Sequence, residues 1–147
     1  MEYRKYGDAI YIRGDKGDEI VSCILDVCRR EDVGYATFSG IGGFGAAEVQ
    51  TYDPAAGTYE TRLIEGMLEL ASMNGNVTCD GDHGLRQHTH AVFAYKDGGE
   101  THTMAGGHIK SATVLITAEI ELRPVKGGAI GRKDDPESGI AVWDFID

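Results

Sequence analysis

The sequence has no Cys-x-x-Cys pair, and its cysteines are odd in number: Cys23, Cys28 and Cys79. A disulfide framework needs paired cysteines and a thiolate zinc site needs clustered ones, so this pattern favours neither. We interpret the three residues as buried or half-buried free thiols in a reducing compartment.

Long hydrophobic runs are also missing. No segment approaches the ~20 apolar residues of a membrane span, and the opening residues, MEYRKYGDAIYIRGDKGDE, lack the apolar stretch of a signal peptide. The sequence therefore predicts a soluble, cytoplasmic protein with no membrane partner.

A concentrated basic patch is missing as well. The formal net charge is −10 at pH 7, and such a field repels nucleic acid unless a local patch overcomes it. Residues 123–133, RPVKGGAIGRK, gather four basic side chains, but glycines dilute them and the acidic DDPE follows. We interpret this segment as a mobile surface loop, and the composition disfavours direct DNA binding.

The length of 147 residues and the 41% hydrophobic content suit one domain spanning residues 1–147. One helix signal is clear, in GDEIVSCILDVCRREDVG, where apolar residues recur at helical spacing. Asp18 is the expected N-cap, Arg29 and Arg30 suit the last turn, and Gly34 suits the position just after the helix.

Most of the remaining sequence has the alternation of β-strands. The predicted strands are YATFSGI, AEVQTYD, TYETRLIEG, GMLELASMNGNV, QHTHAVFAYK, ETHTMAGGH, ATVLITAEIEL and, as an edge strand, the tail GIAVWDF. Gly and Asp turns separate them. The pattern predicts an α+β fold, with one main helix packed on a mostly antiparallel sheet of about seven to nine strands.

The glycine run from Gly40 to Gly45 fits the dinucleotide-binding pattern GxGxxG. That site requires a following helix, whose N-terminal amides bind the pyrophosphate. The residues that follow, AAEVQTYDPAAGTYE, alternate like a strand and contain a proline. We therefore expect no nucleotide cofactor, and we interpret the glycines as a tight turn where the backbone approaches a neighbour closely.

Four of the five histidines lie in RQHTHAVFAYKDGGETHTMAGGH, residues 86–108. His88 and His90 are two apart in a strand, so both side chains leave the same face, ~6 to 7 Å apart at the backbone. A three-residue Asp97-Gly98-Gly99 loop, with Gly99 left-handed, would form the following hairpin.

That loop would pair Lys96 with Glu100 and place His108 directly opposite His88 and diagonal to His90. His102 would then pair with Ala94, ~13 Å along the strand from His90, and could not share the same ion. A two-residue loop would instead move His108 to the other face, and a bulge at the glycines of residues 106–107 would change its direction.

Three neutral imidazoles, from His88, His90 and His108, suit zinc and leave its fourth position open for water or substrate. Nickel, copper or iron would accept the same ligands. An open position permits Lewis-acid or metal-hydroxide chemistry.

Further groups that could contribute to the histidine site are Glu65, Glu69, Glu119 and His83. Glu69 interrupts an apolar strand, where a carboxylate either faces solvent or meets a partner. The turn-like CDGDHG favours a solvated His83.

An ordered set of motifs resembles the plants-and-prokaryotes conserved domain, or PPC domain. The motifs are FSGIGGFGAAEVQTYD, IEGMLELASMNGNV, the His-Thr-His of residues 88–90, the AGGH of residues 105–108 and ATVLITAEIEL. The resemblance runs from about Ala9 to Arg123 and leaves residues 124–147 as a C-terminal tail.

The resemblance implies one helix on a mostly antiparallel sheet, assembled as a homotrimer. It also implies the fold group of acetolactate decarboxylase, in which an HxH pair and a later histidine hold a catalytic zinc. Carried over, the ligands are His88, His90 and His108, while His102 has no counterpart.

Plant members of this family follow AT-hooks and act as nuclear DNA-binding regulators, and bacterial members are named as DNA-binding by analogy. This sequence has no Arg-Gly-Arg-Pro hook, and the usual Gly-Arg-Phe-Glu is Gly66-Met67-Leu68-Glu69. We therefore expect a zinc-binding homotrimeric binding or regulatory module with an unknown protein or small-molecule partner. The alternative is a small zinc-dependent lyase or hydrolase acting on a small anionic substrate, with Glu69 or Glu65 as proton carrier.

Overall fold

The computed structural model describes residues 1–79, 84–99 and 101–146. One helix and eight strands occur in these ranges. In chain order they are β1 (Glu2–Tyr6), β2 (Ala9–Gly14), α1 (Ile20–Arg30), β3 (Ala36–Asp53), β4 (Thr58–Cys79), β5 (Leu85–Lys96), β6 (His102–Pro124), β7 (Ala129–Asp134) and β8 (Ala141–Ile146). The α+β class, the single helix and the strand number are confirmed.

The main sheet has six antiparallel strands in the order β1-β2-β6-β3-β4-β5. Strand β5 pairs with β6 as well as with β4. Strands β3, β4, β5 and β6 therefore form a closed ring of hydrogen-bonded strands, with β2 and β1 extending the sheet beyond β6.

The core lies between helix α1 and the inward face of this sheet. The helix buries one apolar stripe that includes Ile20, Ile24 and Val27, and Phe44 meets Phe93 edge-on with ring centroids 5.8 Å apart. Cys23 and Cys28 are buried and Cys79 is partly buried, in agreement with the burial expected from the sequence.

Helix α1 is capped by residues other than those predicted. Glu19 is the N-cap, and its carboxylate accepts hydrogen bonds from two backbone N–H groups of the first turn, whereas Asp18 accepts from the backbone N–H of Asp15. At the other end Asp32, with φ of 52°, takes the left-handed position in place of Gly34. No helix in the described ranges is long and apolar enough to cross a membrane.

Strands β3, β4 and β6 each run continuously through two segments that were predicted as separate strands. The run from Gly40 to Gly45 lies inside β3, so the predicted tight turn is wrong. The predicted close approach is confirmed, because a Cβ added at Gly40 would lie 2.2 Å from the Ile120 side chain. Register shifts in the pairing of β3 with β4 and β6 bend the strand at these glycines without ending it.

The C-terminal segment is more ordered than predicted. Residues 129–134, interpreted above as part of a mobile loop, form β7, which pairs with β8 in a separate two-stranded sheet. The tail is therefore not an edge strand of the main sheet. Arg132 of β7 donates to the Asn76 and Thr78 side chains of β4 and holds the hairpin against the main sheet.

Candidate metal centre

Three histidines converge on the outward face of the sheet. His88 and His90 alternate along β5 with the buried Thr89 and Ala91, so both imidazoles point away from the core. One ring nitrogen each from His88, His90 and His108 lies within 4.8 Å of the others. The sequence-predicted trio is therefore brought together, and the geometry is that of a three-imidazole metal site.

The register that produces this cluster differs from the predicted one by two residues. His108 lies opposite His90, and Lys96 lies opposite His102 rather than Glu100. The connecting loop is longer than three residues, and Gly98, with φ of 62°, takes the left-handed position predicted for Gly99. Because side chains alternate with a period of two, a shift of two leaves His108 on the same face.

The spacing of the His88 and His90 ring nitrogens fits a tetrahedral ion. The Nε2 atoms of His88 and His90 are 3.2 Å apart. Two nitrogens bound to one tetrahedral zinc at about 2.0 to 2.1 Å stand about 3.3 Å from each other. Among the described residues, His108 also has a buried Nδ1 with no hydrogen-bond partner. The donor set and its spacing therefore fit a transition metal.

The imidazoles of His88 and His108 are held in the form that binds metals. Burial lowers the pKa of His88 to about 4, with smaller contributions from His108, Arg132 and His90. Burial also lowers the pKa of His108, followed by the effects of His90 and Arg132. Both rings are therefore neutral near pH 7, with a lone pair available for a metal ion.

Neighbouring side chains fix the strands that carry the histidines. Gln87 donates from Nε2 to the backbone oxygen of Ile109, 3.2 Å away, and so ties β5 to β6 beside His108. The buried Thr89 donates in turn to Gln87 Oε1. The ring of Tyr59 from β4 packs against His108, with centroids 5.4 Å apart.

A groove of about 760 Å³ opens over the three imidazoles. Its wall includes Tyr59 and two cationic side chains, Arg86 and Arg132. Reasoning from the sequence missed all three. Arg86 could have been found, because it is two residues before His88 and shares its face of the strand. Tyr59 and Arg132 reach the site only through tertiary packing.

The carboxylates predicted as proton carriers lie elsewhere. Glu65 pairs with Ala46, and Glu69 lies between Gly43 and Ala94, with both glutamates exposed and neither lining the groove.

Glu119 and His102, which was expected to lie outside the site, are also away from the cluster, and His83 is not described. Glu119 is exposed opposite Arg13. His102 is exposed and six positions from His108 on β6, about 20 Å along the strand. His83 lies outside the described residues.

The fold and the site define a class of protein: an α+β domain with a closed antiparallel sheet that carries an outward three-histidine cluster. The sequence model of the Plants and Prokaryotes Conserved (PCC) domain matches residues 1–126. The chain belongs to this family, as the motifs in its sequence indicate. No curated protein matches the sequence.

Solved structures agree with this assignment. A candidate DNA-binding protein from Bacteroides thetaiotaomicron is 21% identical, with a TM-score of 0.87 over 98% of this chain and 96% of that one. A metal-containing protein from Archaeoglobus fulgidus is 29% identical, with a TM-score of 0.82 over 97% of this chain and 96% of the other.

A more distant structure tests the predicted fold group. It is a protein of unknown function from Staphylococcus aureus that is similar to α-acetolactate decarboxylase. It is 14% identical, with a TM-score of 0.52 over 86% of this chain and 54% of that one. The fold relationship expected from the sequence is confirmed.

Proposed function

We propose that this protein is a zinc-binding, homotrimeric module of the cytoplasm, with a binding or regulatory role. The observation that carries the proposal is the convergence of His88, His90 and His108, whose ring nitrogens lie within 4.8 Å of one another. The metal content named for the Archaeoglobus fulgidus protein supports it.

Zinc is the ion we favour, because neutral imidazoles in a tetrahedral arrangement are among its usual protein ligands. Other divalent transition metals accept the same donors. Three protein ligands leave one position open, at which a bound zinc would polarise a ligand oxygen or hold a water. A partner small molecule or an acidic side chain of a partner protein would fill that position.

The trimer is supported by apolar side chains on the outward face of the sheet. Ile116 and Met104 are 62% and 72% exposed. Met67 and Ile116 both lie next to Gly43, where an added Cβ would lie 3.0 and 3.1 Å from them. Exposed apolar surface of this kind is typical of an interface between subunits.

We propose a protein or small-molecule partner rather than direct contact with DNA. The net charge of −10 opposes a polyanion. The protein named as a candidate DNA-binding protein is only 21% identical to this chain, so the similarity shows a common fold.

A second candidate function, a zinc-dependent lyase or hydrolase for a small anionic substrate, is favoured by the groove over the histidines. Its proton carrier would have to reach the metal-bound oxygen. Glu65 and Glu69 do not line the groove, so either would need a route through another group or another subunit. We therefore place the binding role first.

Elemental analysis of the purified protein tests the metal site. Wild type is expected to contain about one zinc per chain. His88→Ala, His90→Ala and His108→Ala should each lose most of it, because two imidazoles hold zinc much more weakly than three. His102→Ala is the matched control, since it removes an exposed histidine of β6 and should retain the full metal content.

Circular dichroism and size-exclusion chromatography of each variant show whether loss of metal follows from loss of fold. Equal metal content in all four variants would contradict the site. Loss in His102→Ala alone would assign the metal to another part of the chain.

A further inference from the structure

The hairpin of β3 and β4 brings two tyrosines to the edge of the histidine cluster. Tyr52 and Tyr59 are direct cross-strand partners. The side chain of Asp53 stabilises the turn between them by accepting from two backbone N–H groups of the turn, and Gly57 completes the turn with a left-handed φ of 66°. The turn therefore fixes the two rings side by side.

The same hairpin lies beside His108 of β6. Gln50 of β3 is the cross-strand partner of His108, and Tyr52 is two residues further along β3, so its side chain leaves the same face. The rings of Tyr52 and Tyr59 have centroids 5.1 Å apart, and those of Tyr59 and His108 are 5.4 Å apart. A series of ring contacts thus leads from the hairpin to the histidine cluster.

Part of this aromatic surface borders open space. Tyr59 is 41% exposed although it contacts two other rings, and both tyrosines line the groove over the histidines. The groove volume of about 760 Å³ is in the range of small-molecule sites. An exposed aromatic ring in such a groove offers a stacking surface to a further planar ring.

The hairpin of β7 and β8 adds apolar surface to the same part of the groove. The hydroxyl oxygen of Tyr52 is close to Gly139, where an added Cβ would lie 3.7 Å from it. The next two residues, Ile140 and Ala141, also line the groove. A ligand ring placed against the tyrosines would therefore lose contact with water, which favours its binding.

We propose that Tyr52 and Tyr59 form an aromatic subsite beside the three histidines, which takes the planar ring of a small aromatic or heteroaromatic ligand. Aromatic pairs have centroids about 4.5 to 7 Å apart, and Tyr59 lies 5.4 Å from His108. One small ligand could therefore place its ring against Tyr59 and a donor atom at the open metal position. The subsite rests on the proposed metal function and specifies the class of ligand.

Three hydroxamates with the same metal-binding group test the subsite in the cobalt-loaded protein. Acetohydroxamate carries no ring, benzohydroxamate carries a planar ring and cyclohexanecarbohydroxamate carries a puckered one. Cobalt(II) replaces zinc, and its visible absorption changes when a hydroxamate binds to the metal. Wild type should bind benzohydroxamate about tenfold or more tightly than acetohydroxamate, and also more tightly than the cyclohexane compound.

Tyr59→Ala should reduce the preference for benzohydroxamate over acetohydroxamate to about twofold, because the stacking surface is lost. The preference is a ratio of two affinities measured in one protein, so an effect on the metal itself cancels. Tyr59→Phe keeps the ring and should keep the wild-type preference.

Tyr11→Ala is the matched control. Tyr11 of β2 is 44% exposed, packs against Tyr6 with centroids 6.1 Å apart, and lines a different pocket. Its substitution should leave the preference at the wild-type value. Equal losses in Tyr59→Ala and Tyr11→Ala would overturn the subsite, as would a full preference in Tyr59→Ala.

If Tyr59→Ala does not fold or does not hold cobalt, Tyr52→Ala decides. It should lower the preference by about threefold or more, and an unchanged preference would overturn the subsite. A wild type that binds benzohydroxamate no more tightly than either of the other probes would overturn it while the metal site stands. Failure of the wild type to bind cobalt would remove the metal site and the subsite together.

Discussion

The glycines beside the histidines allow three strands to meet at the site. A Cβ added at Gly106 would lie 2.2 Å from the backbone oxygen of Ala91, and one added at Gly107 would lie 2.6 Å from that of Gln50. Strand β6 is therefore in close contact with β5 on one side and β3 on the other. Only residues without a side chain permit this approach.

Gly106→Ala tests this close packing. The overlap with Ala91 should cost about 1 to 3 kcal/mol of unfolding free energy, which lowers the Tm by about 2 to 10 °C. The metal content should fall as well, because the strands that carry His90 and His108 are forced apart. Thermal denaturation and elemental analysis measure the two effects.

Gly99→Ala is the control for this prediction. A Cβ at Gly99 would have its nearest neighbour, the backbone oxygen of Asp97, at an ordinary 3.8 Å. Its Tm should stay the same or rise slightly, because alanine restricts the unfolded chain. A Gly106→Ala protein as stable as Gly99→Ala would show that the strands at the site adjust easily.

Strand alternation allowed the histidine trio to be predicted before the structure. His88 and His90 share a face whatever the register, and His108 joins them in any register that keeps its parity. The same alternation places Arg86 on the face of β5 that carries His88 and His90. The position of Arg132 could not be predicted in this way, because Arg132 reaches the site on a hairpin that is held in place by hydrogen bonds to Asn76 and Thr78.

Helix α1 depends on a side chain that also contacts the sheet. The carboxylate of Glu19 accepts from two N–H groups of the first helical turn. It also accepts from the backbone N–H of Ala112 in β6, at 3.1 Å. The N-cap thus fixes the start of the helix and its position against β6.

Glu19→Ala should destabilise the protein by about 1 to 2 kcal/mol, because three backbone donors lose their acceptor. The corresponding fall in Tm is about 2 to 8 °C. Urea denaturation followed by circular dichroism measures the change in unfolding free energy.

The matched control is Asp26→Ala on the same helix, which breaks an exposed ion pair with Arg29. Such pairs contribute little, so its unfolding free energy should change by about 0.5 kcal/mol or less. Equal changes in unfolding free energy for the two substitutions would show that the Glu19 cap stabilises the protein no more than an exposed ion pair does.

Strand lengths were the least predictable feature of the elements. The sequence divides β3, β4 and β6 at glycines, yet they run for 18, 22 and 23 residues. Glycines interrupt the alternation that marks a strand in a sequence. In the folded chain they permit bends and close contacts within one continuous strand.

The exposed apolar face bears on the assembly of the whole molecule. Ile116→Lys places a charge on this exposed apolar face, next to Gly43, and burying that charge between subunits would be costly. We expect the proposed trimer to dissociate to monomers or to weaken markedly. Light scattering coupled to size-exclusion chromatography measures the mass.

Phe145→Lys is the control for the assembly. Phe145 is 71% exposed on β8, in the separate two-stranded sheet, and its substitution should leave the trimer intact. A wild-type protein that elutes as a monomer would contradict the trimer directly. A trimer unaffected by Ile116→Lys would place the interface on another face.

The fold class, the helix and the identity of the three converging histidines follow from the sequence, because hydrophobic periodicity and strand parity are local properties of the chain. The register of β5 and β6, the closure of the sheet and the approach of Tyr59 and Arg132 do not follow from it. They depend on loop length and on contacts between residues far apart in the chain, and many alternatives share the same local pattern. The charge and shape of the groove over the histidines therefore emerge only from tertiary packing.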